Sequence, residues 1–548
     1  MLLIDFGDTH VGTLIIAVQT RHFFSRKMHA LSTAAGAAVV ASTAYNAVAV
    51  VEPLPPPAVA NREKIRLRSR RRTYMHLTGI AFMVIALICM TVSIFQHVAH
   101  LAPTKIQAGG AALVLPYNFV VALGGEDGYA RVSFTTKAPA ECTVSFGNDA
   151  AHLVGNVSLS WGDDVASYAC QDTDPSWLWP FAWSKCGPIG YHSGYVNVVK
   201  IGPLQVNQFA YYQVRCGSDG TSSVQRFFMP AATVPAAGDK PVTLALIGDV
   251  GQTIHSNLTY HRVAAMKPHA IIDAGDLSYA DCWQPRWDSY ANMVEHLSQT
   301  TPWHSVPGNH EIEGVEDCGY AMMGGEFVPY KVRRARAMPF VESGSSDPLY
   351  YSFDVGGVHF VMLSSYSDYS PLSAQHAWLR RDLSRVNHTR TPFIVAVTHA
   401  PWYQTNIMHQ GEGDAMKASM EGVLLEYGVH LVVSGHVHAY ERVHAVSSGA
   451  VLNQTCGIQY VVVGDGGNRE GVYPFPSADT APEWSAYREA AYGHGSLKVF
   501  NSTHAQFQWH RGADAATATP ADESWLVNNH VHDRHHPEAR RSSLCHHV

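Results

Sequence analysis

With 548 residues, 46% of them hydrophobic and 15% charged, the chain has core enough for two or three compact units. A formal net charge of −7 argues against a nucleic-acid partner, because neutralising phosphates asks for a strong basic patch. The 32 histidines, set against 38 Lys plus Arg, raise the expectation of a metal site or an acidic working compartment.

Residues 1–74 read as a disordered, basic cytosolic leader. An Ala-rich stretch from Ala30 to Val51 runs into Pro53, Pro55, Pro56 and Pro57, which resist regular structure, and Arg62, Lys64, Arg66, Arg68, Arg70, Arg71 and Arg72 follow. Residues 75–96 then read as a transmembrane signal anchor. The run from Leu77 to Phe95 carries no ionised group and has about the length that crosses a bilayer, and the flanking charge places the remainder outside the cytosol. A cleaved signal sequence starting near Met75 gives the same outcome.

The Asn-x-Ser/Thr acceptors Asn156, Asn257, Asn387, Asn453 and Asn501 all lie beyond that run. So do eight of the nine cysteines, an even number compatible with disulfides in a secretory compartment.

From 112 to 235 the pattern is of short alternating segments, Ala130–Thr136, Tyr195–Ile201 and Ala210–Arg215, separated by Gly, Asn, Asp and Pro. This predicts an antiparallel sandwich. An insertion from Asp172 to Gly190, with Trp177, Trp179 and Trp183, reads as a surface loop with packed aromatics, and Pro230–Pro241 as the linker to the next domain.

Over 241–526 apolar strands alternate with helical stretches: Val242–Ile247, Ala270–Asp273, Trp303–Val306, Val358–Leu363, Phe393–Val397, His430–Val433 and Gln459–Val463. Strands this uniformly apolar predict a sheet buried on both faces, with ligands gathering beyond the strands' carboxyl ends.

Five of these segments end in clusters of metal-seeking side chains: Gly248-Asp249, Gly275-Asp276-Leu277-Ser278-Tyr279, Gly308-Asn309-His310-Glu311, Thr398-His399 and Gly435-His436-Val437-His438. Asp249, Asp276 and Asn309 offer oxygens, whereas His399, His436 and His438 offer nitrogens. Six donors exceed what one zinc ion takes and suit two adjacent metals sharing a carboxylate. Tyr279 adds a phenol that titrates near 10, so that only a strong Lewis acid such as ferric iron displaces its proton.

Among lesser candidates, Asp465 in its Gly-Asp-Gly-Gly turn is expected to be structural, and His359 and His430 to be satisfied core or edge histidines. Arg442 is expected to act in support through Glu441 or nearby backbone. Cys282 and Cys318 follow two of the metal loops and are a candidate disulfide. The tail, 527–548, with His530, His532, His535, His536, His546 and His547, reads as a solvated end or a metal-capturing tract.

The clusters, in this order, resemble the five-block signature of purple acid phosphatases within the metallophosphoesterase superfamily, and the likeness to large plant-type members spans about residues 115 to 530. It implies a β-sandwich flanked by helices, preceded by a fibronectin type III-like domain. It further implies ferric iron on Asp249, Asp276, Tyr279 and His438, and a divalent zinc, manganese or ferrous ion on Asp276, Asn309, His399 and His436. His310 and His409 are the expected catalytic residues, binding phosphate oxygens and protonating the leaving group, with Glu311 tuning His310. Where plant relatives have two adjacent histidines, Met408 precedes His409.

The implied reaction is hydrolysis of small phosphate monoesters at acid pH, by in-line attack of a metal-held hydroxide. Rival readings are a phosphodiesterase or phytase with the same centre, or an inactive surface-binding protein. The expected setting is the secretory pathway, extracellular or vacuolar/lysosomal, with a membrane helix as tether.

Overall fold

The computed structural model describes residues 114–528, apart from 161–164, 171–190, 219, 315–317, 319–324, 455, 478–479 and 516–518. The apolar run Leu77–Phe95, the tryptophan-bearing insertion and the histidine tail lie outside the described residues. Among the described residues no helix is long and apolar enough to cross a membrane.

Toward the N-terminus, two antiparallel sheets share one apolar cluster. The first joins Tyr117–Leu123, Ala130–Thr136, Tyr195–Ile201 and a short Val165–Ala166 strand. The second is centred on Gln208–Cys216, which pairs with Cys142–Gly147, Gln225–Met229 and Gly220–Thr221, while Gly155–Leu159 adds to the outer side of Cys142–Gly147. Cys142 stands opposite Cys216 in the ladder, and the two are disulfide-bonded. Buried Val121, Val132, Phe134, Val144, Val198, Tyr212, Val214 and Phe227 fill the cluster.

The segment expected to be a linker is packed rather than loose. Ala231 and Ala232 are buried, and their carbonyls accept from Gly356 and Gly357 N–H. Their own N–H groups donate to Asn207 and Asp127 side chains, which leaves this crossing little freedom.

The remainder of the described chain is built on two stacked sheets. One has six strands in the order Trp303–Ser305, Ala270–Asp273, Val242–Ile247, Gly493–Val499, His504–Arg511 and Asp522–Val527. Its first three strands are parallel and the rest antiparallel. The other runs Tyr351–Val355, Val358–Met362, Phe393–Val397, Leu431–Ser434, Ile458–Val463 and Tyr440–Ser447, with Ala450–Val451 and Ser485–Glu489 pairing onto the last. From Val358–Met362 to Ile458–Val463 its strands are parallel.

Strand alternation explains the layers, since successive side chains point to opposite faces. Leu244 and Leu246 face the other sheet with Phe360, Val395 and Val433. Ala245 and Ile247 instead meet Tyr260 and Val263 of the helix Ile254–Met266, and Trp287 and Val294 of the helix Pro285–Ser298. On the far side Val361, Ile394 and Val432 pack against Leu379 of Ala374–Leu383 and Met420 and Leu424 of Asp414–Glu426. Helices thus cover both outer faces of the sheet pair, which is why these strands carry apolar residues at nearly every position.

Candidate metal centre

The loops after Ile247, Asp273 and Ser305 in one sheet, and after Val397 and Ser434 in the other, open at the same end of the two sheets. All seven donors singled out by sequence lie there, in two groups. In one, Tyr279 Oη is 3.1 Å from His438 Nε2 and 3.3 Å from Asp249 Oδ1, and His438 Nε2 is 3.4 Å from that same oxygen. In the other, His399 Nε2 is 3.1 Å from Asp276 Oδ2 and 3.1 Å from Asn309 Oδ1. His436 completes the second group, since ligand atoms of Asp276, His399 and His436 all lie within 4.8 Å of one another.

The backbone is shaped for this convergence. Asp249, Asp276, Tyr279 and His436 all take left-handed φ, between 49° and 68°, which non-glycine residues rarely adopt. The neighbouring glycines serve close approach: a Cβ at Gly308 would collide with Asp276 Oδ1, and one at Gly435 with Asp249 Oδ2.

The donor set fits cations. His399 Nδ1 is 2.7 Å from the Ala274 carbonyl, which makes Nδ1 the protonated nitrogen and turns the Nε2 lone pair toward the two oxygens of Asp276 and Asn309. Three acceptors facing one another repel unless a cation or a proton lies between them. Consistent with this, burial opposes the His399 charge, but the Asp276 and Asp249 carboxylates override it and push the imidazole up to about 9. Asp276 is held well below the usual carboxylate range, because His399 and His310 outweigh the burial that would raise it. Burial, then the Asp249 and Asp276 charges, drive the Tyr279 phenol well above its ordinary value, so only a strong Lewis acid would make it a phenolate. Nδ1 of His438 is buried without a hydrogen-bond partner.

Around these donors the walls are buried while the rim is open: the His310 and His409 side chains are 16% and 24% exposed. His310 Nδ1 hydrogen-bonds Asp281 Oδ1 at 2.5 Å, and the His310 backbone N–H donates to Asp276 Oδ1. Burial lowers the His310 imidazole, but the Asp276 and Glu470 charges outweigh it and the net direction is up. His409 Nδ1 is 3.2 Å from Glu412 Oε1, and its ring lies 3.9 Å from that of His436.

One expected role is extended and one corrected. Glu311 makes no hydrogen bond to the His310 ring, though its charge is among those that raise the imidazole; its carboxylate accepts from the N–H groups of Asp276, Leu277 and Gly308, so it also pins two metal loops to each other. Arg442 acts through neither Glu441 nor phosphate, but forms a two-pronged pair with Asp522, since β-strand alternation turns it away from the site.

Other readings match the geometry. Cys282 and Cys318 are disulfide-bonded. His359 lies between Asp354 and Asp382, and Asp465 accepts from the Trp509 indole beneath its turn. His430 Nδ1 accepts from Ile394 N–H.

Sequence reasoning missed the carboxylates that orient the two histidines. Asp281 lies two residues past Tyr279, and Glu412 three past His409. Arg469, paired with Asp281 and donating to the Tyr279 carbonyl, was equally silent. Their short spacings were the only signal.

Comparison with known proteins agrees with the geometry. Residues 242–440 match the family model for calcineurin-like phosphoesterases, and 457–520 that for iron/zinc purple acid phosphatase-like protein C. The chain is 43% identical over 338 residues to purple acid phosphatase 18 of Arabidopsis thaliana, covering 62% of this chain and 72% of that protein. It is 35% identical over 413 residues to Fe(3+)-Zn(2+) purple acid phosphatase 12 of the same plant, covering 71% and 85%. A purple acid phosphatase from yellow lupin (Lupinus luteus) seeds has the same fold, with a TM-score of 0.62 at 18% identity over 76% of this chain and 74% of that one.

Proposed function

The chain belongs to the purple acid phosphatase family, and from that premise we propose that it hydrolyses phosphate monoesters between a ferric and a divalent cation. We assign the ferric ion to Asp249, Asp276, Tyr279 and His438, and the divalent ion to Asp276, Asn309, His399 and His436. The placement of Tyr279 Oη beside both His438 and Asp249 carries this reading, because a buried phenol with carboxylates around it favours a trivalent cation over a softer or weaker one. Asp276 would serve both ions: its Oδ2 lies 3.1 Å from His399 Nε2, and its charge also acts on Tyr279. The name of the Arabidopsis relative states an iron–zinc pair; zinc, manganese and ferrous iron all suit the oxygen and imidazole donors here.

Bound cations of this kind supply a nucleophile that persists in acid and neutralise the phosphate oxygens. The chain's own residues do the rest. His310, with Nδ1 committed to Asp281, presents Nε2 to the phosphate and, as the imidazolium that acid favours, can hold an oxygen and protonate the leaving alkoxide. His409, oriented through Nδ1 by Glu412, offers Nε2 as a second contact. Glu311 keeps the loops of Asp276 and Asn309 in register, so that the carboxylate and the amide stay in place when substrate binds. Met408 supplies no proton, which leaves His310 and His409 as the proton-bearing pair.

We assign 112–235 to a fibronectin type III-like domain and 241–526 to the catalytic domain, on the strand groupings described above. The setting is a secretory compartment. The disulfides require oxidising conditions, and Asn156, Asn257, Asn387, Asn453 and Asn501 are all exposed, as glycan acceptors must be. Leu77–Phe95 is assigned as the tether on its apolar length alone.

The test is hydrolysis of p-nitrophenyl phosphate, a phosphodiester and phytate side by side, with iron and zinc content measured on the same preparation. Preference for the monoester with two metals per chain is expected. Metal-replete protein that is inert on all three, or that prefers the diester, would sink the reading.

A further inference from the structure

Between the N-terminal sheets and the catalytic domain lies a small cavity of ≈ 30 Å³, lined from one side by Asn118 and Thr135 and from the other by Tyr290, Arg333 and Arg334. That is room for a water or a monatomic ion. Its polar lining is unsatisfied. Nε and Nη2 of Arg334 and both side-chain polar atoms of Asn118 are buried with no hydrogen-bond partner, and the Tyr290 hydroxyl beside them hydrogen-bonds only Tyr260. Arg334 is 3% exposed, Asn118 7% and Tyr290 2%.

The two adjacent arginines differ in a telling way. Arg333 is fully engaged, donating to the Tyr168 and Tyr191 hydroxyls and pairing with Asp288. Arg334, among the described residues, forms no ion pair. The acid that feels its charge is Asp273, but Asp273 spends Oδ1 on Gly275 N–H and Oδ2 on the Trp303 indole, and the guanidinium lies 5.0 Å from the centre of that indole ring. On the facing strand, Asn118 sits at an irregularity in the Tyr117–Leu123 ladder with φ 54°, a departure from strand geometry that re-aims a side chain.

A guanidinium is charged at every pH, and its buried N–H groups are costly without an acceptor: Asp273 attracts the charge but takes neither Nε nor Nη2. Water in the cavity would satisfy hydrogen bonds but bring no charge. We propose that the cavity is a halide site, with chloride held by Arg334 Nε and Nη2, Asn118 Nδ2 and the Tyr290 hydroxyl, and that the ion clasps the N-terminal sheets to the catalytic domain. Two structural contacts already run beside it, Ser298 Oγ to the Phe119 carbonyl and the Tyr212 hydroxyl to the Gln299 carbonyl, so an ion here would complete an existing seam.

Crystals of the protein grown in potassium bromide should show an anomalous peak in this cavity, within hydrogen-bonding distance of Arg334. In solution, the Tm should rise by about 2 °C for each tenfold increase in bromide over potassium gluconate of equal ionic strength. That rise should vanish in Arg334→Gln and, should that variant not fold, in Asn118→Ser. Density without anomalous signal, a bromide peak confined to the metal centre, or variants that keep the full halide dependence would each overturn the proposal.

Discussion

The Tyr279 hydroxyl stands 3.1 Å from His438 Nε2, although 159 residues separate them in the chain and they leave different sheets. Replacing Tyr279 by Phe removes the only phenol in the donor set and should abolish the visible charge-transfer band expected of the iron-loaded protein. The measurement is an absorption spectrum with iron quantified on the same sample. Persistence of the colour in Tyr279→Phe would mean that another residue meets the iron.

His310 is predicted to be the principal proton donor. His310→Ala should lower kcat/KM by about 10²–10⁴-fold, with the larger loss on esters of poor leaving groups. Because the imidazolium is the active form and is lost on the alkaline side, the variant should also lose that limb of the pH profile. Asp281→Asn should mainly lower kcat, by roughly tenfold, with little change in KM, since Asp281 aims the ring and does not bind substrate. A pH profile unchanged in His310→Ala would assign the proton elsewhere.

The disulfide Cys282–Cys318 closes a 36-residue separation that contains Asn309, His310 and Glu311. Cys282→Ser with Cys318→Ser should cost about 3–4 kcal/mol by loop-closure entropy. Because Cys282 follows Tyr279 so closely, the double variant should also bind metal more weakly. Denaturant unfolding of metal-loaded and stripped protein separates the two effects, and equal stability with and without the bridge would contradict the first.

His359 gives a pH signature away from the metals. Burial alone would lower its proton affinity, but hydrogen bonds to Asp354 at 2.7 Å and Asp382 at 2.9 Å override that and raise it to about 9. A folded value above the unfolded one stabilises the protein fully below about pH 6.5 and ceases to do so as pH climbs through 9. Against His359→Gln, the wild type should therefore hold an advantage of roughly 3 kcal/mol at pH 6 that disappears by pH 9.5. Thermal or urea melts across that range decide it, and a constant difference would refute the charged-histidine account.

The strands of the catalytic domain were legible because burial on both faces leaves a run such as Phe393–Val397 apolar at every position, and Val242–Ile247 at all but Thr243, and the chemistry sits where each run stops. The donors were legible for the same reason: a ligand must be a particular side chain, and residue type is what sequence records.

What only the tertiary structure decided is how groups without a demanding identity are used. Glu311 looked like a partner for its neighbour His310, yet it spans to Asp276 and Leu277, because side-chain direction in a tight turn is set by backbone geometry and not by adjacency. Arg442 finds Asp522, 80 residues away, across strands whose order no local pattern encodes. Asp281 and Glu412 orient the two histidines, but an exposed-looking carboxylate in a loop resembles any other until the loops fold together. The sequence by itself determined which atoms are able to bind metal and where the strands that carry them end; the fold decided which of them meet, because convergence depends on sheet order and on loops whose partners lie far along the chain.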